Sequence, residues 1–178
     1  MHPQGVYIDI LHIIKNRRSI RNFTDRKISD ETIDALIEAI RWAPSAGNLQ
    51  SRKFYFVFDN DLKRMLAKAA WNQDFIAKAQ LAVVGCINLQ IARKYGDRGI
   101  ELYGIQDVSA SIMNMVLVAQ DLGLGTVWVG AFDESAVVKI MNLPDYLRPV
   151  ALIPIGYPAK MPKPTPRISK NEAVVFIR

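Results

Sequence analysis

Apolar residues recur along this chain with two periods, and each change of period marks an element. Ile8, Ile10, Leu11, Ile13 and Ile14 predict a short helix over Ile8–Lys15. Ile33, Leu36, Ile37 and Ile40 keep helical spacing, with Ser29 as cap, Asp30 and Glu31 in the first turn and Pro44 as the stop. Phe54–Phe58, aromatic and β-branched, predicts a strand; Leu62–Ala70 predicts a helix. Leu81–Ile87 is continuously apolar, the signature of a strand covered on both faces. Tyr103–Leu122 is the longest helix, with Ile105, Val108, Ile112, Met113, Met115, Val116, Leu117 and Val118 lying nearly all round it. Such a helix belongs in a core or a large interface. Thr126–Ala131 predicts a strand running into a turn, and Asp133 caps a short helix ended by Pro144. Val150–Gly156 predicts a buried strand whose Pro154 suggests an irregular or edge position. Pro162, Pro164 and Pro166 keep Lys160–Pro166 extended, and Ala173–Ile177 predicts a last strand. Helices and strands mix without strict alternation, which predicts α+β rather than a doubly wound sheet. The tail, extended and then apolar, reads as an arm reaching across something, such as a partner subunit.

A length of 178 residues, half of them hydrophobic, predicts one domain over 1–178 with a core large enough to need no disulfide or metal. With one Cys and two His, the usual zinc patterns cannot be assembled. Cys86 sits in the apolar run and reads as a buried, inert thiol. The start, Met1-His2-Pro3-Gln4-Gly5, lacks the pattern of a signal peptide, and no uninterrupted apolar stretch spans a bilayer. A cytoplasmic protein without a membrane role is expected.

The net charge is +6, and its distribution is uneven. Lys15, Arg17, Arg18, Arg21, Arg26 and Lys27 face only Asp25 within residues 15–27, and Lys160, Lys163, Arg167 and Lys170 crowd the tail. Local excess suits a small phosphate ligand, whereas a nucleic-acid face interleaves exposed aromatics with its cations. Arg17-Arg18-Ser19-Ile20-Arg21 offers guanidinium forks that match phosphate oxygens in pairs, with a hydroxyl beside them. Taken alone, this cluster is equally compatible with a solvated face. Pro44-Ser45-Ala46-Gly47-Asn48-Leu49-Gln50 is a small-residue turn bearing two amides, which suit a heterocycle edge or simply satisfy the turn. Asp107 reads as a helix-start residue, and no triad, carboxylate pair or metal cluster stands out. Trp71, Asn72, Gln73 and Phe75 are candidate neighbours of a ligand or core cover.

These two motifs, followed by Gly123-Leu124-Gly125-Thr126-Val127-Trp128-Val129-Gly130-Ala131-Phe132 and by Ile155-Gly156-Tyr157-Pro158 with the later Arg167, resemble the FMN-dependent nitroreductase family. The similarity runs from about Ile14 to the C-terminus. The resemblance implies a central mixed or antiparallel sheet flanked by helices. It also implies a homodimer with an exchanged C-terminal arm and flavin sites at the interface. It implies that Arg17, Arg18 and Ser19 hold the FMN phosphate, joined by Arg167, with Arg21 toward the ring. Pro44, Ser45, Asn48 and Gln50 would approach from the other subunit, and Trp128, Val129 and Gly130 would line the ring. Activity would be two-electron transfer from NADH or NADPH to a small acceptor such as a nitroaromatic or a quinone. Other flavin roles, such as dehalogenation or flavin breakdown, and a non-catalytic binder are the alternatives. Many members follow the Asn-x-Gln element with Pro and Trp; this chain has Ser51-Arg52-Lys53 there. It is also short for the family and lacks a long insertion of the kind that can roof an active site.

Overall fold

The computed structural model describes residues 9–178; Ile8, with which the first helix was expected to begin, lies outside them. The helices are α1 (Ile10–Asn16), α2 (Asp30–Arg41), α3 (Asn60–Ala69), α4 (Phe75–Lys78), α5 (Ala92–Arg98), α6 (Gly104–Asp121), α7 (Glu134–Met141) and α8 (Lys170–Ala173). The strands are β1 (Arg52–Val57), β2 (Leu81–Asn88), β3 (Gly125–Thr126) and β4 (Leu147–Gly156), in the order β1-β2-β4-β3 and antiparallel throughout. This is the α+β arrangement expected.

Helices cover both faces of the sheet, which explains why β2 is one unbroken apolar run. Ala82, Val84 and Cys86 face α3 and α7 through Leu66, Ala67 and Val137, whereas Leu81, Val83 and Ile87 face α2 and α6 through Leu36, Ile40, Ile112 and Met115. Cys86 is fully buried, and burial pushes its thiol up to about 12, so it is protonated and inert at neutral pH. The caps lie where the sequence put them: Ser29 Oγ accepts from Thr32 N on α2, and Asp133 accepts from Ala136 N on α7.

Among the described residues, the helical stretch Leu89–Asp121 is apolar enough by length and composition to cross a bilayer. It is a core helix on one side only. Val108, Ile112, Met115, Val116 and Ala119 are buried, but Ile105 and Met113 are exposed. Exposed apolar residues on α1 (Ile10, Leu11, Ile14) and on α2 (Ile37) add to the uncovered surface.

Two expectations are corrected. β4 is not an edge strand; it lies between β2 and β3. It is irregular, because Pro154 has no N–H to donate. The ladder beside it breaks between the Thr126–Ile155 pair and the Val129–Leu152 bridge. The strand expected over Thr126–Ala131 therefore shrinks to two residues and one bridge. The tail holds no strand. Ser169 and Glu172 form a reciprocal capping box that starts α8, and Val174–Ile177 follow it exposed. A strand needs a neighbour, and the tail meets none among the described residues. β1, by contrast, is an edge strand open on one side.

One close approach sets the entry to the site. Ile20 N donates to Thr126 O at 2.9 Å, and Ser19 bridges Thr126 in parallel. This contact requires glycine at 125, since an added Cβ would lie 2.6 Å from Ile20 Cγ1. Gly125→Ala should cost on the order of 1–3 kcal/mol through overpacking. Thermal unfolding checks this, and an unchanged midpoint would refute the tight contact.

Candidate functional site

The Arg17–Arg21 segment runs from the end of α1 across to β3. Arg17 is the C-cap of α1 and is half-buried; its N–H donates to Ile13 O at 3.0 Å. Arg18 turns back on the helix end, with Nη1 donating to Lys15 O at 2.7 Å and Arg17 O at 2.9 Å. Those carbonyls hold one end of its fork, and its Nε and Nη2 donate to no partner among the described residues. Arg167 comes from the tail, its Nη1 held by Thr165 Oγ1 at 2.7 Å and Pro166 O at 3.1 Å. Arg17, Arg18, Ser19, Arg21, Lys163 and Arg167 line one cavity of about 180 Å³. Like charges crowd there. Burial, then the charge of Arg167, then that of Arg18, pull Arg17 below its ordinary value. The mutual repulsion in such a concave cluster of cations is relieved by an anion with several oxygens.

A second cavity of about 620 Å³ shares Ser19, Arg21 and Lys163 with the first and adds Asn22 and Met161. Arg21 stands where the two meet, its guanidinium 5.7 Å from the centre of the Phe75 ring. Past Thr126, Trp128 and Gly130 are exposed, and nothing lies within 4 Å of where a Gly130 Cβ would be. Val129 is turned inward; its N–H and carbonyl both pair with Leu152 at 2.9 Å. Its N–H is thus spent on the sheet. Gln73 Nε2 donates to Ala131 O at 3.1 Å and latches this segment to the loop before α4. In that loop Trp71 and Asn72 have positive φ, and Trp71 is exposed.

Pro44, Ser45, Asn48 and Gln50 form a separate unit around a 3₁₀ turn at Ala46–Asn48. None of them lines the guanidinium cavity. Gln50 instead borders a cavity of about 360 Å³ with Arg52 and Phe54. One protomer therefore gathers the Arg and tail residues but does not bring the amide turn to them. A further cavity of about 830 Å³ shares no lining residue with any of these. In its wall Lys63 is buried, its ammonium donating to Ala79 O at 2.6 Å and Gln80 O at 3.3 Å, and burial lowers its pKa. Those carbonyls account for Lys63 as a cap on the end of α4.

Lys163 was not singled out by the sequence, although its place beside three prolines in a basic tail was the signal available. Arg52 and Asp107 were missed as well: Arg52 donates to four carbonyls at residues 40–44, and Asp107 accepts from Ala46 N.

The family model described as the nitroreductase family matches residues 14–87 and 63–157. The chain belongs to the nitroreductase family. A protein of Archaeoglobus fulgidus with the provisional name NADH dehydrogenase/NAD(P)H nitroreductase is 32% identical over 154 residues, 84% of this chain and 86% of its own. An FMN reductase (NADPH) of Bacillus subtilis is 29% identical over 175 residues, 90% of this chain and 70% of its own. Among solved structures, the NADPH:FMN oxidoreductase of Vibrio harveyi complexed with NAD+ superposes with a TM-score of 0.88 at 27% identity, covering 95% of this chain and 77% of that one. The fold and the enzyme class are those of a nitroreductase-family NAD(P)H and FMN oxidoreductase.

Proposed function

We propose that this nitroreductase-family protein binds FMN and transfers two electrons as hydride from NADH or NADPH to a small acceptor such as a nitroaromatic or a quinone. The convergence of Arg17, Arg18, Ser19 and Arg167 on one small cavity carries the reading. Its donors fit a phosphate: planar forks, a hydroxyl, and a surplus of positive charge with no carboxylate among the lining residues. The larger cavity that continues from it past Arg21 suits a flat ring. When bound, FMN supplies the hydride chemistry that no side chain can.

The chain's own residues then bind and orient. Arg17, Arg18 and Arg167 hold the phosphate. Arg21, on Phe75, keeps positive charge beside the ring, where negative charge develops. Trp128 and the open backbone at Gly130 allow close approach of a plane. Pro44, Ser45, Asn48 and Gln50 reach the ring from the second protomer of a homodimer, consistent with their distance from the Arg cavity within one chain. One site then serves nicotinamide and acceptor in turn, and no acid–base residue is needed.

Purified protein should be yellow. Under anaerobic conditions NADH or NADPH should bleach the long-wavelength flavin band, and initial rates with a quinone or nitroaromatic should give parallel lines. Flavin that stays oxidised with both nicotinamides would overturn the assignment, and intersecting lines would overturn the shared site.

A further inference from the structure

The amide turn is held in an unfavourable backbone shape by groups from distant parts of the chain. Gly47, Asn48 and Gln50 have φ of +54°, +54° and +52°. For residues with a Cβ, that region persists only where the surroundings impose it. On one side stands Asp107, in the first turn of α6 and only 4% exposed. Its Oδ1 accepts the Ala46 N–H at 2.9 Å, across 61 residues of chain, while its Oδ2 is buried and has no partner among the described residues. On the other side Arg52 donates to Ala43 O at 2.7 Å and Pro44 O at 2.8 Å. Burial draws the Arg52 guanidinium below its ordinary value, and the charge of Asp107 pushes it back. Across the turn, a Cβ at Gly47 would fall 2.4 Å from the Tyr95 hydroxyl. Within the turn, Gln50 N donates to Ser45 Oγ at 3.0 Å.

A carboxylate buried on α6 merely to begin a helix would be costly, because its charge is taken out of water. A buried oxygen without a partner calls for a reason. Here the reason lies in what the other oxygen does: among the described residues it is the one long-range side-chain acceptor for the turn's backbone.

We infer that Asp107 is a positioning residue of the flavin site, fixing the Ala46 amide so that Ser45, Asn48 and Gln50 are presented in one preformed arrangement, with Arg52 anchoring the preceding segment. This rests on the FMN reading above. Asp107 touches neither cofactor nor substrate; it acts through the turn.

Three variants separate this role from packing. Asp107→Ala removes the acceptor. Ala46→Pro removes only the donor, and Ser45, at φ −149° and ψ 156°, already has the extended backbone that a following proline demands. Asp107→Asn keeps an acceptor of the same shape and drops the charge. FMN affinity is read by titrating apoprotein into FMN, the flavin potential by anaerobic titration against a redox dye, and the fold by thermal unfolding. Asp107→Ala and Ala46→Pro should each weaken FMN about tenfold, equal to the loss of one modest hydrogen bond, and lower the potential. Asp107→Asn should restore affinity to within about threefold of the parent, since it keeps the neutral bond. Unchanged affinity in a folded Asp107→Ala or Ala46→Pro protein overturns the inference. So does an Asn variant as weak as the Ala one, or loss of fold in the Ala and Pro variants together, which assigns Asp107 to stability. Two controls keep the readings apart: a parent protein that binds no FMN means that the flavin reading itself has failed, whereas intact FMN binding in Arg18→Ala removes only the Arg motif from the site.

Discussion

Arg18→Ala should weaken FMN binding by roughly 2–3 kcal/mol, about 30- to 150-fold, the loss expected for a charge-assisted bond to phosphate in a partly buried site. The same substitution should leave the apoprotein at least as stable as the parent. Arg18 and Arg167 both push against the half-buried Arg17 charge, so removing one of them relieves repulsion in the empty cavity. Opposite signs for ligand affinity and apo stability are the mark of a cluster built for an anion rather than for the fold. Arg17→Ala should show the same split, although it also removes a half-buried stem. Affinity should fall with added salt in the parent and fall less steeply in either variant, because one fewer charge contacts the phosphate. FMN titrations at two salt concentrations, paired with thermal unfolding of apoprotein, check all four statements. Unchanged FMN affinity in a folded Arg18→Ala protein would remove the motif from the site.

Much of this architecture was written in short-range pattern. The 3.6-residue spacing of Ile33, Leu36 and Ile40 and the cap at Ser29 located α2, and the unbroken run Leu81–Ile87 announced a strand covered on both faces. Those features are local, so a window of a dozen residues holds the information. The tail was less legible because two local signals compete there. Val174–Ile177 has the composition of a strand, but Ser169 and Glu172 satisfy each other's backbone and start a helix one turn earlier. Strand formation waits on a partner edge, and no window of sequence contains one. Of the two positions that Pro154 suggested for β4, irregular or edge, the first holds: Pro154 forbids one hydrogen bond, and the chain answers by interrupting β3 rather than by exposing β4.

The site divides in the same way. Arg17, Arg18, Ser19 and Arg21 are adjacent in sequence and could be read as one donor set. Lys163 and Arg167 join them only because the chain returns after β4, with Ala159 N donating to Asn22 O at 3.0 Å. Asp107 and Ala46 are joined by nothing in the sequence. An acidic residue four positions into a helix reads as a dipole complement, and only the tertiary packing of α6 beneath the turn turns it into a long-range acceptor.

The largest effect is expected from truncation after Arg167, which keeps every cation of the guanidinium cavity and removes Ile168–Arg178. We expect the parent to be an obligate homodimer and the truncated protein to dissociate. The removed segment carries the apolar, uncovered run Val174–Ile177, with Phe176 79% and Ile177 96% exposed. Among the described residues it pairs with no edge, while β1 has β2 on one side and is open on the other. A second copy resolves both at once, by adding the Val174–Ile177 segment of one protomer beside β1 of the other. The exposed apolar residues of α1 and α6 would be covered in the same interface, which must bury on the order of 1,600 Å² or more to be stable at micromolar concentration. Because the amide turn lies away from the Arg cavity of its own chain, dissociation should also separate the two halves of the flavin site. FMN affinity should therefore collapse although no cation has been lost. Sedimentation and FMN titration on the truncated protein read the two consequences independently. Phe176→Asp gives a milder version that keeps the full chain, since an aspartate in a dry arm contact carries a large desolvation cost. A truncated or Phe176→Asp protein that still sediments as a dimer and binds FMN normally would show that the arm closes nothing.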